Sequence, residues 1–297
     1  MHDVFFFTDI HGQKDLYYAI KKWCYLQDPN CMIIYGGDAA DRGQDGYEIM
    51  KDLLNDWHIN YLYGNHEELF VQAADAIIGA YAKNDASYYL LHHCDYKTAD
   101  NIINSMREND FVKIHLQNEG TSTLIGWLLD GAPEWFVDTI RTLPRTISYG
   151  NKDFCHAGGT YTTFRAVADA EYSNTMLPAY AENHCIWDRN CLALGWETGR
   201  FCIHGHTPTI ALPRALYGRD VQAKATLHPA IWGDHMGGKH KRGGFKIDMD
   251  TGAAWTGRAF VLNCLTMKAT GFYDANIVEK NTKEKKLIEQ IETYKLI

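Results

Sequence analysis

The chain has 297 residues, 46% apolar and 22% charged, with a net charge of −8. Such a length can bury a large core, and the composition is that of an ordinary globular protein. The acidic balance argues against a general nucleic-acid or anionic-membrane surface, so phosphate binding would need a local positive site.

The eight cysteines (Cys24, Cys31, Cys94, Cys155, Cys185, Cys191, Cys202, Cys264) form no CxxC pair. Free thiols in a reducing cytoplasm are the expectation. No stretch approaches the roughly 18–20 apolar residues of a membrane span. The opening MHDVFFFTDIHG lacks the charged and apolar regions of a signal peptide.

Taken in order, Val4–Thr8 reads as a buried strand and Gln13–Leu26 as a helix with apolar residues at helical spacing. Cys31–Tyr35 is a strand, Tyr47–Trp57 a helix and Ile59–Tyr63 a third strand. Three strand–helix repeats predict parallel pairing, with the intervening loops gathered at one sheet edge. Residues 67–141 read as an inserted helical lobe, within which a loop over 117–124 offers Ser and Thr to cap the next helix. Strands resume at Thr146–Tyr149, Asp153–His156 and Phe201–His204, and again at Gly244–Met249 and Ala259–Met267 with an antiparallel finish toward Phe272. Residues 212–244 read as a long loop and 279–297 as a charged amphipathic helix.

Five short motifs follow these strands: Asp9-Ile-His11, Gly37-Asp38-Ala-Ala-Asp41-Arg42-Gly43, Gly64-Asn65-His66-Glu67, His156-Ala-Gly158 and Gly205-His206-Thr207. They supply carboxylate, amide oxygen and imidazole, a donor set that suits Mn²⁺, Fe²⁺ or Zn²⁺. Asp38 has two oxygens with which to bridge two ions. Asn65 offers an amide oxygen, which leaves His66 free for proton transfer. Asp41 adds an orienting acid and Arg42 a bidentate phosphate clamp. Each has a plainer reading, in which Asp9 and Asn65 cap helices and His156 and His206 are structural residues at strand ends.

Together the motifs resemble the phosphoprotein phosphatase family of calcineurin-like metallophosphoesterases, over roughly residues 3–275. Ile247-Asp248-Met-Asp250-Thr251-Gly252 is similar to the family's IDTG segment. The resemblance implies an α/β (α+β) fold, a two-sheet β-sandwich flanked by helices with an inserted helical lobe. The domain would span 1–278. It further implies two divalent ions, with Mn²⁺ preferred over Fe or Zn. Asp9, His11 and Asp38 would hold one ion; Asp38, Asn65, His156 and His206 would hold the other. His66 paired with Asp41 would be the acid, and Arg42 would bind phosphate. Arg189, after Ile186-Trp187-Asp188, would be the second phosphate-binding arginine, with Arg165 and Arg200 as alternatives.

The short His156–His206 spacing resembles the bacterial and bacteriophage lambda phosphatase branch. Ala39-Ala40 is smaller than the family's usual pair, so local packing should differ. The implied reaction is attack of a metal-bridging hydroxide on a phosphomonoester, with phosphoserine and phosphothreonine as substrates. A phosphorylated protein or small phosphoester is the expected partner, without nucleic acid or membrane. The rival is hydrolysis of nucleotides or dinucleoside tetraphosphates; there the second motif resembles GDLVARG, with Ala where this chain has Asp41. A polynucleotide 3′-phosphatase lacks the strand-binding charge it would need, and an inactive scaffold sits badly with a full set of ligand positions.

Overall fold

The computed structural model describes residues 2–190, 192, 194, 196–215, 226–232, 244–274 and 289–295. The chain starts β1 (Val4–Phe7), α1 (Lys14–Gln27), β2 (Met32–Tyr35), α2 (Gly46–Asn55) and β3 (Ile59–Tyr61). Strands β1, β2 and β3 pair in parallel, as the repeated strand–helix pattern predicts. Six consecutive helices follow: α3 (Asn65–Tyr81), α4 (Asp85–His92), α5 (Tyr96–Ser105), α6 (Asp110–Gln117), α7 (Thr121–Leu129) and α8 (Glu134–Arg141).

The second half runs β4 (Thr146–Tyr149), β5 (Lys152–Cys155), α9 (Tyr161–Ser173), α10 (Ala179–Ile186) and β6 (Phe201–His204). Next come α11 (Leu212–Ala215), β7 (Ala230–Trp232), β8 (Phe245–Asp248), α12 (Ala253–Thr256), β9 (Arg258–Asn263), β10 (Lys268–Tyr273) and β11 (Glu289–Lys295). One sheet has the order β11-β10-β9-β1-β2-β3 and the other β4-β5-β6-β8-β7.

The two sheets face each other across an apolar layer. Val4, Phe6, Ile34, Leu62, Phe260 and Leu262 from the first meet Phe154, Ile203 and Ile247 from the second. The rings of Phe6 and Phe154 lie 5.3 Å apart. The alternate residues Phe5, Phe7, Ile33 and Tyr35 pack on the other side, in the larger core they share with the helices. Burial on both faces explains why β1 reads as an unbroken apolar run instead of an alternation.

Four expectations change. Glu289–Lys295 is a strand, antiparallel to β10, where a helix was expected. Ile291, Thr293 and Tyr294 have good β propensity, and β10 offers an edge to fill; residues 279–288 lie outside the described residues. The 212–244 stretch contains α11 and the strand β7, which extends the second sheet beside β8; its segments 216–225 and 233–243 are likewise outside. The expected strand Ala259–Met267 stops at Asn263, because Asn263 accepts from the N–H groups of Leu265 and Thr266 and turns the chain into β10, the expected antiparallel finish toward Phe272. Thr121 and Ser122 open α7 as helical residues behind the N-cap Gly120, and no side chain caps that helix.

Candidate active site

Every motif lies just past the carboxyl end of a strand: β1, β2 and β3 in one sheet, β5 and β6 in the other. Ligands of α/β sheets collect at that edge. The loops are tight. Asp9, His11, Asp38, Asp41, Arg42 and His206 all have left-handed backbone, with φ between 49° and 70°. Each such conformation costs on the order of 1–3 kcal/mol. The loops hold one another in it, through Asp9 N–H to Gly37 O (3.1 Å), His11 N–H to Asp38 O (3.1 Å) and Gly205 N–H to His156 O (2.9 Å). Gly205 can only be glycine here, since an added Cβ would lie 1.9 Å from Asp9 Oδ2.

Asp38 is the centre. Its Oδ1 is 3.2 Å from His156 Nε2 and its Oδ2 is 3.6 Å from His11 Nε2. Oδ1 also accepts from the His66 N–H at 3.0 Å. Two groups able to hold a metal ion share this carboxylate: His11, Asp38 and His66, and Asp38, His156 and His206. Asp9 stands beside them, accepting from Thr8 Oγ1 (2.6 Å) and from the His206 N–H. Asn65 Oδ1 lies 2.9 Å from His156 Nε2 and 2.7 Å from His206 Nδ1.

The geometry fits divalent ions. Three of the four imidazoles anchor one nitrogen on a backbone carbonyl: His11 Nδ1 on Ala40, His156 Nδ1 on Gly36 and His206 Nε2 on Trp187. This orients the other nitrogen into the cluster, as outer hydrogen bonds do for metal-ligating histidines. Burial holds His11 and His206 well below the ordinary imidazole pKa, aided by Arg42 and His156 respectively. A neutral His206 that donates through Nε2 carries a lone pair on Nδ1, pointed at the Asn65 oxygen. An ion beside these two atoms would satisfy both lone pairs, as would the Asn65 amide turned to donate its N–H. Burial pushes the Asp38 carboxyl up, but His156, His66 and His11 outweigh it and hold it well below the usual carboxylate range.

Beside this cluster, His66 Nδ1 donates to Asp41 Oδ2 at 2.7 Å, both side chains being buried. His66 Nε2 faces Arg42, whose Nη2 is 3.0 Å away, while Nη1 contacts His11 Nε2. Burial lowers the His66 pKa, but Asp38 and Asp41 more than offset that and raise it. The sequence-derived trio His66, Asp41 and Arg42 is therefore in one place.

Of the three candidate second arginines, Arg189 reaches this region, donating from Nη2 to the His206 carbonyl at 3.2 Å. Arg165 pairs with Asp169 on the exposed face of α9, and Arg200 forks onto Asp153. Asp250 of the IDTG-like segment is buried near Arg42 and Asp38, and burial raises its pKa to about 6.

Three supports were not read from the sequence. Glu67 is more than a first-turn acid: it accepts from the backbone N–H groups of Gly64, Asp38 and Ala39 and from the Tyr61 hydroxyl. This ties the second motif to the third, and the small pair Ala39-Ala40 is fully buried against it. Trp255 of α12 stacks on Arg42, with the guanidinium 4.6 Å from the ring centre. The helical lobe grips the second motif as well: Asp41 N–H donates to Thr123 Oγ1 (3.0 Å), Ser122 Oγ to Gly43 O (2.6 Å) and Arg42 N–H to Glu119 O (3.2 Å). A polar Ser/Thr cluster read as a cap was the available signal, and its partner loop was invisible to local pattern.

Among curated proteins, the chain is 22% identical over 162 residues to a symmetrical bis(5′-nucleosyl)-tetraphosphatase of Buchnera aphidicola subsp. Schizaphis graminum, spanning 54% of this chain and 55% of that relative. Among solved structures, a cold-active protein-tyrosine phosphatase of a psychrophilic Shewanella aligns over 98% of this chain and 81% of its own, at 16% identity and a TM-score of 0.46. A serine/threonine phosphatase of Saccharomyces cerevisiae aligns over 100% and 80%, at 12% identity and a TM-score of 0.41. The family model for calcineurin-like phosphoesterases matches residues 2–223, a span that carries all five motifs. The chain belongs to the calcineurin-like phosphoesterase family.

Proposed function

We propose that the chain is a metal-dependent phosphomonoesterase that removes phosphate from phosphoserine and phosphothreonine. The observation that carries this reading is the buried His66–Asp41 pair beside the Asp38-centred cluster. A serine alkoxide is a poor leaving group and needs a proton as the P–O bond breaks. Asp41 keeps one proton on His66 Nδ1, and Asp38 and Asp41 together favour the protonated ring against the opposing charge of Arg42; Nε2 lies 3.8 Å from Asp38 Oδ2, at the edge of the cluster. The anhydride link of a nucleoside tetraphosphate releases a stable phosphate anion and has far less need of such an acid.

Asp9, His11 and Asp38 would hold one ion, and Asp38, Asn65, His156 and His206 the other. When bound, the ions would polarise the phosphoryl oxygens and offset the charge that develops on them. Arg42 would bind two nonbridging oxygens with its guanidinium fork. Trp255 covers one face of that fork and Arg189 would approach from the His206 side. The carboxylate, amide and imidazole donors suit manganese, with iron and zinc as the alternatives. The described cysteines are all free thiols, which suits a reducing compartment such as the cytoplasm. Among the described residues, no helix is long and apolar enough to cross a membrane.

The second reading is hydrolysis of dinucleoside tetraphosphates, favoured by the activity in the name of the Buchnera relative. One comparison separates the two. With Mn²⁺ supplied, kcat/KM is expected to be higher on a phosphoserine peptide than on diadenosine tetraphosphate. Efficient cleavage of the tetraphosphate with an inert phosphopeptide would reverse the assignment.

A further inference from the structure

Asp41 has a second imidazole against it. His115, on α6 of the helical lobe, is fully buried, and its Nδ1 lies 3.4 Å from Asp41 Oδ2. That is the oxygen that accepts the His66 Nδ1 proton at 2.7 Å. That 3.4 Å contact is an ion-pair distance, and neither His115 ring nitrogen makes a closer hydrogen bond; Asp41 Oδ1 has no hydrogen-bond partner. Buried polar side chains are rarely left so, and an unpaired one calls for an explanation.

The lobe is shaped to keep the ring there. A Cβ at Gly120 would lie 2.3 Å from His115 Nε2, so the glycine leaves the space the imidazole fills. The His115 carbonyl accepts from the Gly120 N–H at 3.1 Å, which closes the turn behind the ring. The same turn delivers Glu119 to Arg42, Ser122 to Gly43 and Thr123 to Asp41.

We propose that His115 is a positioning residue for proton supply: held by the lobe, it backs Asp41 so that Oδ2 stays on His66 Nδ1. This rests on the reading of His66 as the acid. It gives the helical lobe a part in the reaction, through a His115–Asp41–His66 row that runs from the lobe to the ligand cluster.

The test uses the whole Mn²⁺-loaded protein and two substrates, a phosphoserine peptide and p-nitrophenyl phosphate, whose leaving group hardly needs a proton. His115→Leu is expected to lower kcat on the peptide about 10–100-fold, the range that loss of an outer hydrogen-bonding partner brings at metal sites. Its KM, its metal content and its kcat on p-nitrophenyl phosphate should change little. His115→Asn, which keeps an N–H donor near the Nδ1 position, should recover most of the loss. Should His115→Leu fail to fold, Gly120→Ala is expected to give the same selective loss by pushing the ring off Asp41. Equal losses on both substrates, or none on either, would overturn the proposal. His66→Asn run alongside separates the two claims. If it is substrate-selective while the His115 variants are not, the inference alone fails; if it is unselective, the acid reading itself fails.

Discussion

Asp38→Asn is expected to abolish phosphatase activity and to weaken ion binding at both metal positions together. Asparagine keeps the shape and one acceptor oxygen, so the contact with the His66 N–H survives and the fold should stand. What it removes is the negative charge shared by both ligand groups, which meet His11 on one side and His156 on the other. Lewis-acid stabilisation is worth several kcal/mol. At tenfold for about every 1.4 kcal/mol, a loss in kcat on the order of 10³-fold or more follows. His11→Ala touches one group only and should cost less. Metal analysis with kinetics checks both, and equal mild losses would show that Asp38 does not join the two positions.

His66→Asn should produce a loss that depends on the leaving group. General acid catalysis is worth roughly 10²- to 10⁴-fold, and that range is expected on a phosphoserine peptide. On p-nitrophenyl phosphate the loss should be much smaller. The rate ratio of the two substrates, wild type against variant, reads the effect without reference to absolute activity. The ratio would stay constant if His66 served only as a third ligand beside His11 and Asp38, the grouping that distance alone also permits.

The parts of the fold governed by local pattern could be read in advance. Phe5 and Phe7 face the helices while Val4 and Phe6 face the other sheet, so the apolar run signalled a strand covered on both sides. The motif residues fell at strand ends, and parallel pairing brought Asp9, Asp38 and Asn65 together; β5 and β6 delivered His156 and His206 from the facing sheet. Two helices, α9 and α10, were overlooked between the histidine motifs, although Phe164, Val167 and Ala170 lie on one helical face. At the C-terminus, an amphipathic spacing over 279–297 competed with an unfilled sheet edge, and over Glu289–Lys295 the edge won.

Contacts between distant segments were beyond that kind of reading. Glu67 joining two motifs, Thr123 reaching Asp41, and Trp255 over Arg42 depend on tertiary placement, which no window of sequence contains. Arg189 is intermediate. Its position after Trp187 nominated it, and the hydrogen bond to the His206 carbonyl is what distinguishes it from Arg165 and Arg200.

The reaction is expected to run through ions held around Asp38. The direct measurement is hydrolysis of a phosphoserine peptide by chelator-stripped protein titrated with Mn²⁺. No turnover is expected after stripping, with full recovery at two bound ions per chain. Turnover that survives chelation, or recovery that is complete at one ion, would contradict this.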